Sequence, residues 1–527
     1  MKKSTILKKT LTLILAVLLI MSLVSGCSKP SEPPTSGEPS NNSDNSSLQT
    51  GEKTAKDTIT ILVKAEPETL DPAYMNAEAI SLVQQFIFDC LFTTTSEGKS
   101  IVELAETYEF IDDTTVKFKL RDDIKFSDGT NLTSEDIFFN FKRLQESPIS
   151  ASSYFFIDLE NSTIEDDLNF TLKFTQPFAP FEITMDSGRA SIYSKAAFEE
   201  LGAEKFARNP IGTGPYKLVN WVSGTQIELT RNEYYWGEPA KTENIIIKFI
   251  AEPTARVIEL ETGAADIAYY IEGTDIERVN SIDGYKSAVG DSYRYFTFLY
   301  SMAEPLLQEV KVREALCYAI DKEALVKSTT SGIGKPINCY CPPATNGYMD
   351  LYAMPYDIEK AKELLAEAGY PDGFEIELHV EPNPLFERIA EAAQAMWAEI
   401  GIKAEIVVSP LATYDAQRNG KFQISIRDGA AAEISNVLII YESTFGSRFN
   451  GSDDWLDAKL LELKTLYYSD PQREVTLKEI FDYLYDKKYS YPFMVMPMVY
   501  GVSEKLEGFE FHPAPANLVP NNWVIYE

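Results

Sequence analysis

The chain has 527 residues, 48 basic against 80 acidic, for a formal net charge of −32 at pH 7. So acidic a chain repels phosphate backbones, which argues against nucleic acid as a partner. With 44% hydrophobic and 12% aromatic residues it holds ample core for two or three domains, and its two histidines and five cysteines leave no room for a multi-histidine metal centre or a disulfide scaffold.

Lys2, Lys3, Lys8 and Lys9 open the chain as a positive cluster, followed by an almost unbroken apolar run over residues 11–24. The run is about 14 residues, short of the roughly 20 that a spanning helix needs, and reads as the core of a signal peptide. It stops at Val24-Ser25-Gly26-Cys27, small residues before a cysteine. This resembles a bacterial lipobox, which implies cleavage before Cys27, lipidation of its thiol, and stable anchoring by two or three acyl chains. Residues 28–56 are rich in Ser, Pro, Asn and Gly, with Leu48 their one large apolar residue. Such a segment buries too little to offset its chain entropy; it reads as a tether with a reach on the order of 30 Å.

The folded body is expected from about Asp57. Residues 58–64 (TITILVK) read as a strand, and residues 76–92 carry Ile80, Val83, Ile87 and Leu91 at helical spacing. Short alternating runs at 108–113, 115–120 and 170–174 predict an antiparallel layer. Between them Thr133 opens a helix through Leu144, with Asp136 in the capping-box position. Further on, Val312, Leu316, Ala319 and Ile320 mark one helix. Asp357 caps another, which Gly369 and Pro371 stop. A strand at 374–378, a helix at 385–400 and a strand at 403–408 form a β-α-β succession, which implies a parallel sheet. No repeat of fixed period is present.

Six motifs then occur in order: Glu66-Pro67-Glu68-Thr69-Leu70-Asp71-Pro72; residues 119–137, KLRDDIKFSDGTNLTSEDI; residues 209–216, NPIGTGPY; Arg231-Asn232 with Tyr235-Trp236-Gly237; Val312-Arg313-Glu314; and Ala319-Ile320-Asp321. With these the body resembles the extracytoplasmic solute-binding proteins of peptide and nickel ABC importers (family 5, or cluster C), over nearly all of the mature chain. The motifs themselves read as architecture. Gly212 and Gly214 allow φ > 0 and close backbone approach, Asp128-Gly129 is a hairpin turn, and Asp321 is a helix cap. The glycines are not a phosphate loop, since the spacing of that loop is missing.

The resemblance implies an α/β, periplasmic-binding-protein-like fold: two α/β lobes with a hinge, plus an inserted subdomain. The expected organisation is a signal peptide over 1–26, and lipidated Cys27 with its tether over 27–56. Lobe I follows over 57–295, with an insertion at about 98–208. Lobe II takes 296–495, and a return to lobe I takes 496–527. The implied function is a lipid-anchored, extracytoplasmic binding protein, not an enzyme. It would close on a peptide or peptide-like solute and deliver it to the permeases and ATPases of an importer. It is expected to be a monomer without cofactor or resident metal.

Peptide binders of the family hold the ligand ammonium with a cleft aspartate, and the dipeptide branch holds the carboxylate with an arginine. Here the aspartate position falls on Ala432, with Glu433 beside it, and the arginine segment falls in residues 381–384, which hold no arginine. Candidate replacements are Arg427 and Asp428, which follow a strand, and Glu433. Arg189 lies near the carboxylate-binding arginine of the nickel and metallophore branch, and Glu78 lies where the peptide branch lines its cleft. For each, the bland alternative is a solvated or internally paired charge. Cys339-Tyr340-Cys341 could take a soft metal or form a local disulfide, but zinc sites want four ligands, and two incidental thiols are the preferred reading. Cys90 and Cys317 read as core thiols on helix faces. The alternatives to a peptide ligand are a nickel chelate, metallophore, opine or other charged solute on the same fold. Further alternatives are a secreted carboxylate-dependent hydrolase and a surface adhesin or chaperone-like lipoprotein.

Overall fold

The structure is a computed structural model that describes residues 54–526, apart from 96–98, 352, 411–412, 415–421, 444–447, 468–469 and 515–519. The expected signal peptide, Cys27 and nearly all of the tether therefore lie outside the described residues.

The chain enters with β1 (Thr58–Val63) and leaves it for a small hairpin, β2 (Phe92–Thr94) and β3 (Ser100–Val102). A four-stranded antiparallel layer follows: β4 (Ala105–Asp112), β5 (Thr115–Leu120), β6 (Ile157–Ile164) and β7 (Asn169–Phe174), in the order β4-β5-β7-β6. The chain then returns through β8 (Tyr216–Val222), β9 (Gln226–Arg231), β10 (Asn244–Phe249), β11 (Ile267–Tyr269) and β12 (Tyr285–Gly290). It crosses to a second sheet with β13 (Arg294–Tyr300), β14 (Lys335–Pro336), β15 (Glu375–Val380), β16 (Lys403–Val408), β17 (Ile424–Ala430) and β18 (Ser490–Val495). It crosses back as β19 (Met498–Ser503) and finishes with the ribbon of β20 (Leu506–Glu507) and β21 (Val524–Ile525). The two large sheets run β12-β19-β11-β1-β10-β9-β8 and β14-β18-β13-β17-β15-β16, one per lobe.

Each lobe has its own core. In lobe I, Ile61 sits opposite Ile247 and Ile267 in parallel register, and all three are fully buried. In lobe II, β15 pairs in parallel with β16 and β17, the geometry implied by the β-α-β pattern. Phe298 and Phe493 stack there at 4.7 Å, and buried Trp397 donates through its indole to the Leu316 carbonyl. The inserted layer packs on aromatic pairs such as Phe118 on Phe170, 5.0 Å apart and 10° from parallel.

The caps form as the sequence predicts. Thr133 donates through its backbone N–H (2.9 Å) and its hydroxyl (2.8 Å) to Asp136. Asp321 and Asp357 each accept a first-turn backbone N–H. Asp128-Gly129 is a tight turn with Gly129 at φ 87°.

One helix is shorter than its periodicity suggests. The pattern over 76–92 yields only Glu78–Gln84, and Cys90 lies beyond the helix, buried. The carbonyls of Phe86 and Ile87 are taken by the N–H groups of Tyr216 and Gly214, each at 2.9 Å, so the backbone leaves the helix to pair elsewhere. The same contact accounts for the two glycines. A Cβ on Gly212 would stand 2.2 Å from the Ile87 oxygen, and one on Gly214 2.5 Å from the Ile87 carbonyl carbon. Close approach, not a left-handed conformation, is what these positions require.

Candidate functional site

The lobes are joined by two short crossovers, 291–293 and 496–497, that touch each other. Ser292 donates to the Met496 carbonyl at 2.6 Å, and the Met496 N–H bonds the Arg294 carbonyl at 3.0 Å. Beside them, side chains from both lobes form a line of alternating charge. Lys64 extends from the end of β1 and pairs with Glu78 at 2.8 Å, in the first turn of the helix Glu78–Gln84. Glu78 also accepts from the Tyr269 hydroxyl at 3.1 Å. Tyr270 presents its ring 5.5 Å from the Lys64 ammonium and shares a hydrogen bond with Arg294. Arg294, the first residue of β13, donates through Nε and Nη2 to Asp428 on β17, each at 2.9 Å.

Two features mark this line as more than surface decoration. Tyr270 stands at φ 62°, in the left-handed region that a bulky residue adopts at a cost of order 1–3 kcal/mol; such strain clusters at binding sites. The Arg294 guanidinium is pulled two ways. Burial acts to lower its pKa, while Asp428, Tyr270 and Glu78 together raise it above the ordinary arginine value. A cation at the lobe junction thus feels a carboxylate from each lobe.

Of the residues singled out by sequence, Glu78 and Asp428 stand in this line. The others are engaged elsewhere. Arg189 donates through Nε to the Met75 carbonyl at 2.9 Å, bracing the loop before Glu78. Arg427 is buried on the opposite face of β17, bonded to Ser425 at 3.1 Å, with its guanidinium 4.5 Å from the centre of the Tyr414 ring. The Ala432 carbonyl accepts the Asn346 N–H at 2.8 Å. Glu433 is fully buried, ion-paired with Arg473, and caps the helix Ile434–Leu438. In the segment 381–384, Asn383 caps the helix Pro384–Ala398. Cys339 and Cys341 are buried free thiols with sulfurs 3.7 Å apart, and among the described residues no cluster of His, Cys, Asp and Glu is arranged to hold a metal ion.

Lys64, Tyr269, Tyr270 and Arg294 are the members that sequence reasoning missed. Arg294 carried a signal: it is the one cation in the aromatic run YRYFTFLY that opens lobe II. The left-handed backbone of Tyr270 has no counterpart in the sequence.

Comparison with known proteins agrees with this architecture. The chain is 28% identical over 491 residues to the glutathione-binding protein GsiB of Escherichia coli, covering 87% of this chain and 93% of that one. It superposes with a TM-score of 0.80 on the ABC transporter substrate-binding protein CtaP of Listeria monocytogenes (22% identity; 90% of this chain, 100% of that one). The TM-score is 0.77 for the ABC transporter-associated periplasmic binding protein DppA of Helicobacter pylori in complex with the peptide STSA (21% identity; 89% and 98%). These are binding proteins of transporters, not enzymes. Among the described residues no helix is long and apolar enough to cross a membrane. The family model for the bacterial extracellular solute-binding proteins, family 5, matches residues 100–450, and the chain belongs to that family.

Proposed function

We propose that this is the lipid-anchored binding protein of an ABC importer, and that it takes up a peptide or peptide-like solute charged at both ends. The observation that carries the ligand reading is the pairing at the lobe junction: Lys64 with Glu78, and Arg294 with Asp428. Each pair is internally neutral and partly exposed. A zwitterion entering between them meets a carboxylate for its ammonium and a cation for its carboxylate, and desolvates no unmatched charge. Glu78 and Asp428 are the ammonium anchors in this reading, and Lys64 and Arg294 receive the carboxylate. Arg189, Arg427, Ala432 and Glu433 hold the frame. Closure about the crossovers 291–293 and 496–497 buries the solute and presents a closed form to the permease.

Calorimetry against tri- to pentapeptides, and against the same peptides acetylated at the N-terminus, tests the ligand. Binding that disappears on acetylation supports a carboxylate anchor. Binding indifferent to acetylation means that the amine is not anchored and overturns the ammonium role of Glu78 and Asp428; binding absent for both sets removes the peptide reading and favours another charged solute. The anchor is tested separately: Cys27→Ala is expected to release the protein from membranes or to leave an uncleaved precursor, and normal processing with unchanged fractionation would refute the lipobox.

A further inference from the structure

Lobe II contains a small cavity of about 20 Å³, lined by Lys322, Asn338, Tyr340, Lys488, Ser490 and Tyr491 among others. That is room for one particle the size of a water molecule. Lys322 is the first residue of the helix Lys322–Thr329, where the helix dipole disfavours a cation and favours an anion. Its ammonium donates to the Ile337 carbonyl at 2.8 Å and to Asn338 Oδ1 at 3.3 Å, and lies 4.2 Å from the centre of the Tyr491 ring. Lys488 is buried and terminates the helix Pro471–Lys487 at φ 53°, a left-handed position where glycine or asparagine is usual. Its ammonium turns back to the Tyr485 carbonyl. The Tyr491 hydroxyl is buried with no hydrogen-bond partner among the described residues.

A buried hydroxyl without a partner costs about 1–3 kcal/mol, so this one points to an occupant. The electrostatics say of which sign. Burial pushes the Lys322 ammonium down to about 7, and Lys488 pushes in the same direction; the nearby Cys317 thiol opposes them. No carboxylate is among the groups bearing on the part-buried Lys322, whereas Glu314 and Asp486 bear on Lys488, so Lys322 is the cation left for an anion to meet. We propose that the cavity binds one small monovalent inorganic anion of the halide class, held by the ammonium groups of Lys322 and Lys488 and by the Tyr491 hydroxyl as donor. The site lies in lobe II against the start of β18, separate from the charged line at the lobe junction.

The test is thermal unfolding of the folded body with chloride or bromide exchanged for gluconate at constant ionic strength, together with bromide-soaked crystals. We expect the unfolding temperature to rise saturably with either halide and not with gluconate. Tyr491→Phe, which keeps the ring and removes the donor, and Lys322→Met should each weaken the apparent halide affinity at least tenfold. An anomalous bromide peak should lie between Lys322 Nζ, Lys488 Nζ and Tyr491 Oη. If Lys322→Met does not fold, Tyr491→Phe carries the comparison. Equal stabilisation by gluconate, an unchanged halide response in Tyr491→Phe, or a water in place of bromide would each overturn the proposal.

Discussion

Asp428 and Glu433 stand five residues apart and each meets an arginine, yet they sit in opposite settings. Asp428 lies at the lobe junction, one-third exposed, paired with Arg294, which is itself one-quarter exposed. Glu433 is fully buried and paired with Arg473, which is nearly so. A pair that water can still reach costs little to open, so it can exchange its partner for a ligand. A pair sealed inside a lobe cannot open without stranding a charge in low dielectric. The difference teaches that exposure of the pair, not the presence of a carboxylate near the expected position, decides which residue can serve a solute.

The sharpest way to break the comparison is to remove the buried partner. Glu433→Ala takes away the carboxylate that meets Arg473, whose guanidinium also donates to the Leu463 and Leu466 carbonyls at 2.9 and 2.8 Å. We expect a loss of about 3–5 kcal/mol in urea unfolding, with a substantial part recovered when Arg473→Met is added. Solute affinity of the folded fraction should be unchanged. A variant with normal stability and no binding would reverse the two roles.

Asp428→Asn is the complementary experiment. It should cost less than about 1 kcal/mol of stability, because water still reaches the partly exposed pair. It should weaken binding of an unblocked peptide by about 2–4 kcal/mol, the range for truncating a charged partner that becomes buried on closure. Arg294→Met is expected to do the same to peptides with a free C-terminus and to spare amidated ones. If calorimetry finds affinity unchanged in both variants, the junction line is not the site.

The contrast between these two carboxylates explains what could and could not be read from the sequence. The caps at Thr133, Asp321 and Asp357 and the β-α-β run at 374–408 depend on local chemistry and periodicity, and both are printed in the residue order. The helix expected over 76–92 was overextended because its stop is not local. It ends where the Gly214 and Tyr216 amides, some 130 residues away in sequence, claim the carbonyls of Ile87 and Phe86. The site was legible only in part, for the same reason. Glu78 sits on the predicted helix, while Asp428 and Arg427, expected just after a strand, stand within β17; whether Glu433 faces the cleft or Arg473 depends on a helix 40 residues downstream. Lys64, Tyr270 and Arg294 come together only once both crossovers are placed.

A third setting extends the comparison: carboxylates largely withdrawn from water, with no arginine among the described groups that bear on them. Asp89, Glu103 and Asp186 lie where the inserted layer meets lobe I. Burial raises all three, Asp89 to about 6 and Asp186 to about 7, and Asp89 raises Glu103 further. The neighbouring Thr94 only partly opposes the shift at Asp186. The unfolded chain ionises Asp186 near 3.8, whereas the folded protein holds the proton to about 7. Stability from this group is therefore full at low pH and lost as pH rises from about 4 through 7. Asp186→Asn should be nearly neutral at pH 4 and stabilising by up to about 4 kcal/mol at pH 8, measured by thermal unfolding across pH. A gain independent of pH would mean that Asp186 is already ionised in the native state.

The smallest effect is expected at the most open member of the junction. Lys64 is half exposed and its pair with Glu78 is screened by water, so Lys64→Gln should change stability by no more than about 0.5 kcal/mol. Its charge still faces an incoming solute beside Arg294. A charge at the rim acts mainly on encounter, so the variant should lower the association rate for a peptide about twofold to threefold at low salt, with little change in the dissociation rate. The difference should vanish at high ionic strength, where screening removes the steering term. Stopped-flow binding at two salt concentrations separates the outcomes. If instead dissociation accelerates and the effect survives high salt, Lys64 is buried against the solute on closure and belongs with Arg294 as a true anchor. That result would move the boundary between exchangeable and sealed pairs inward to lobe I.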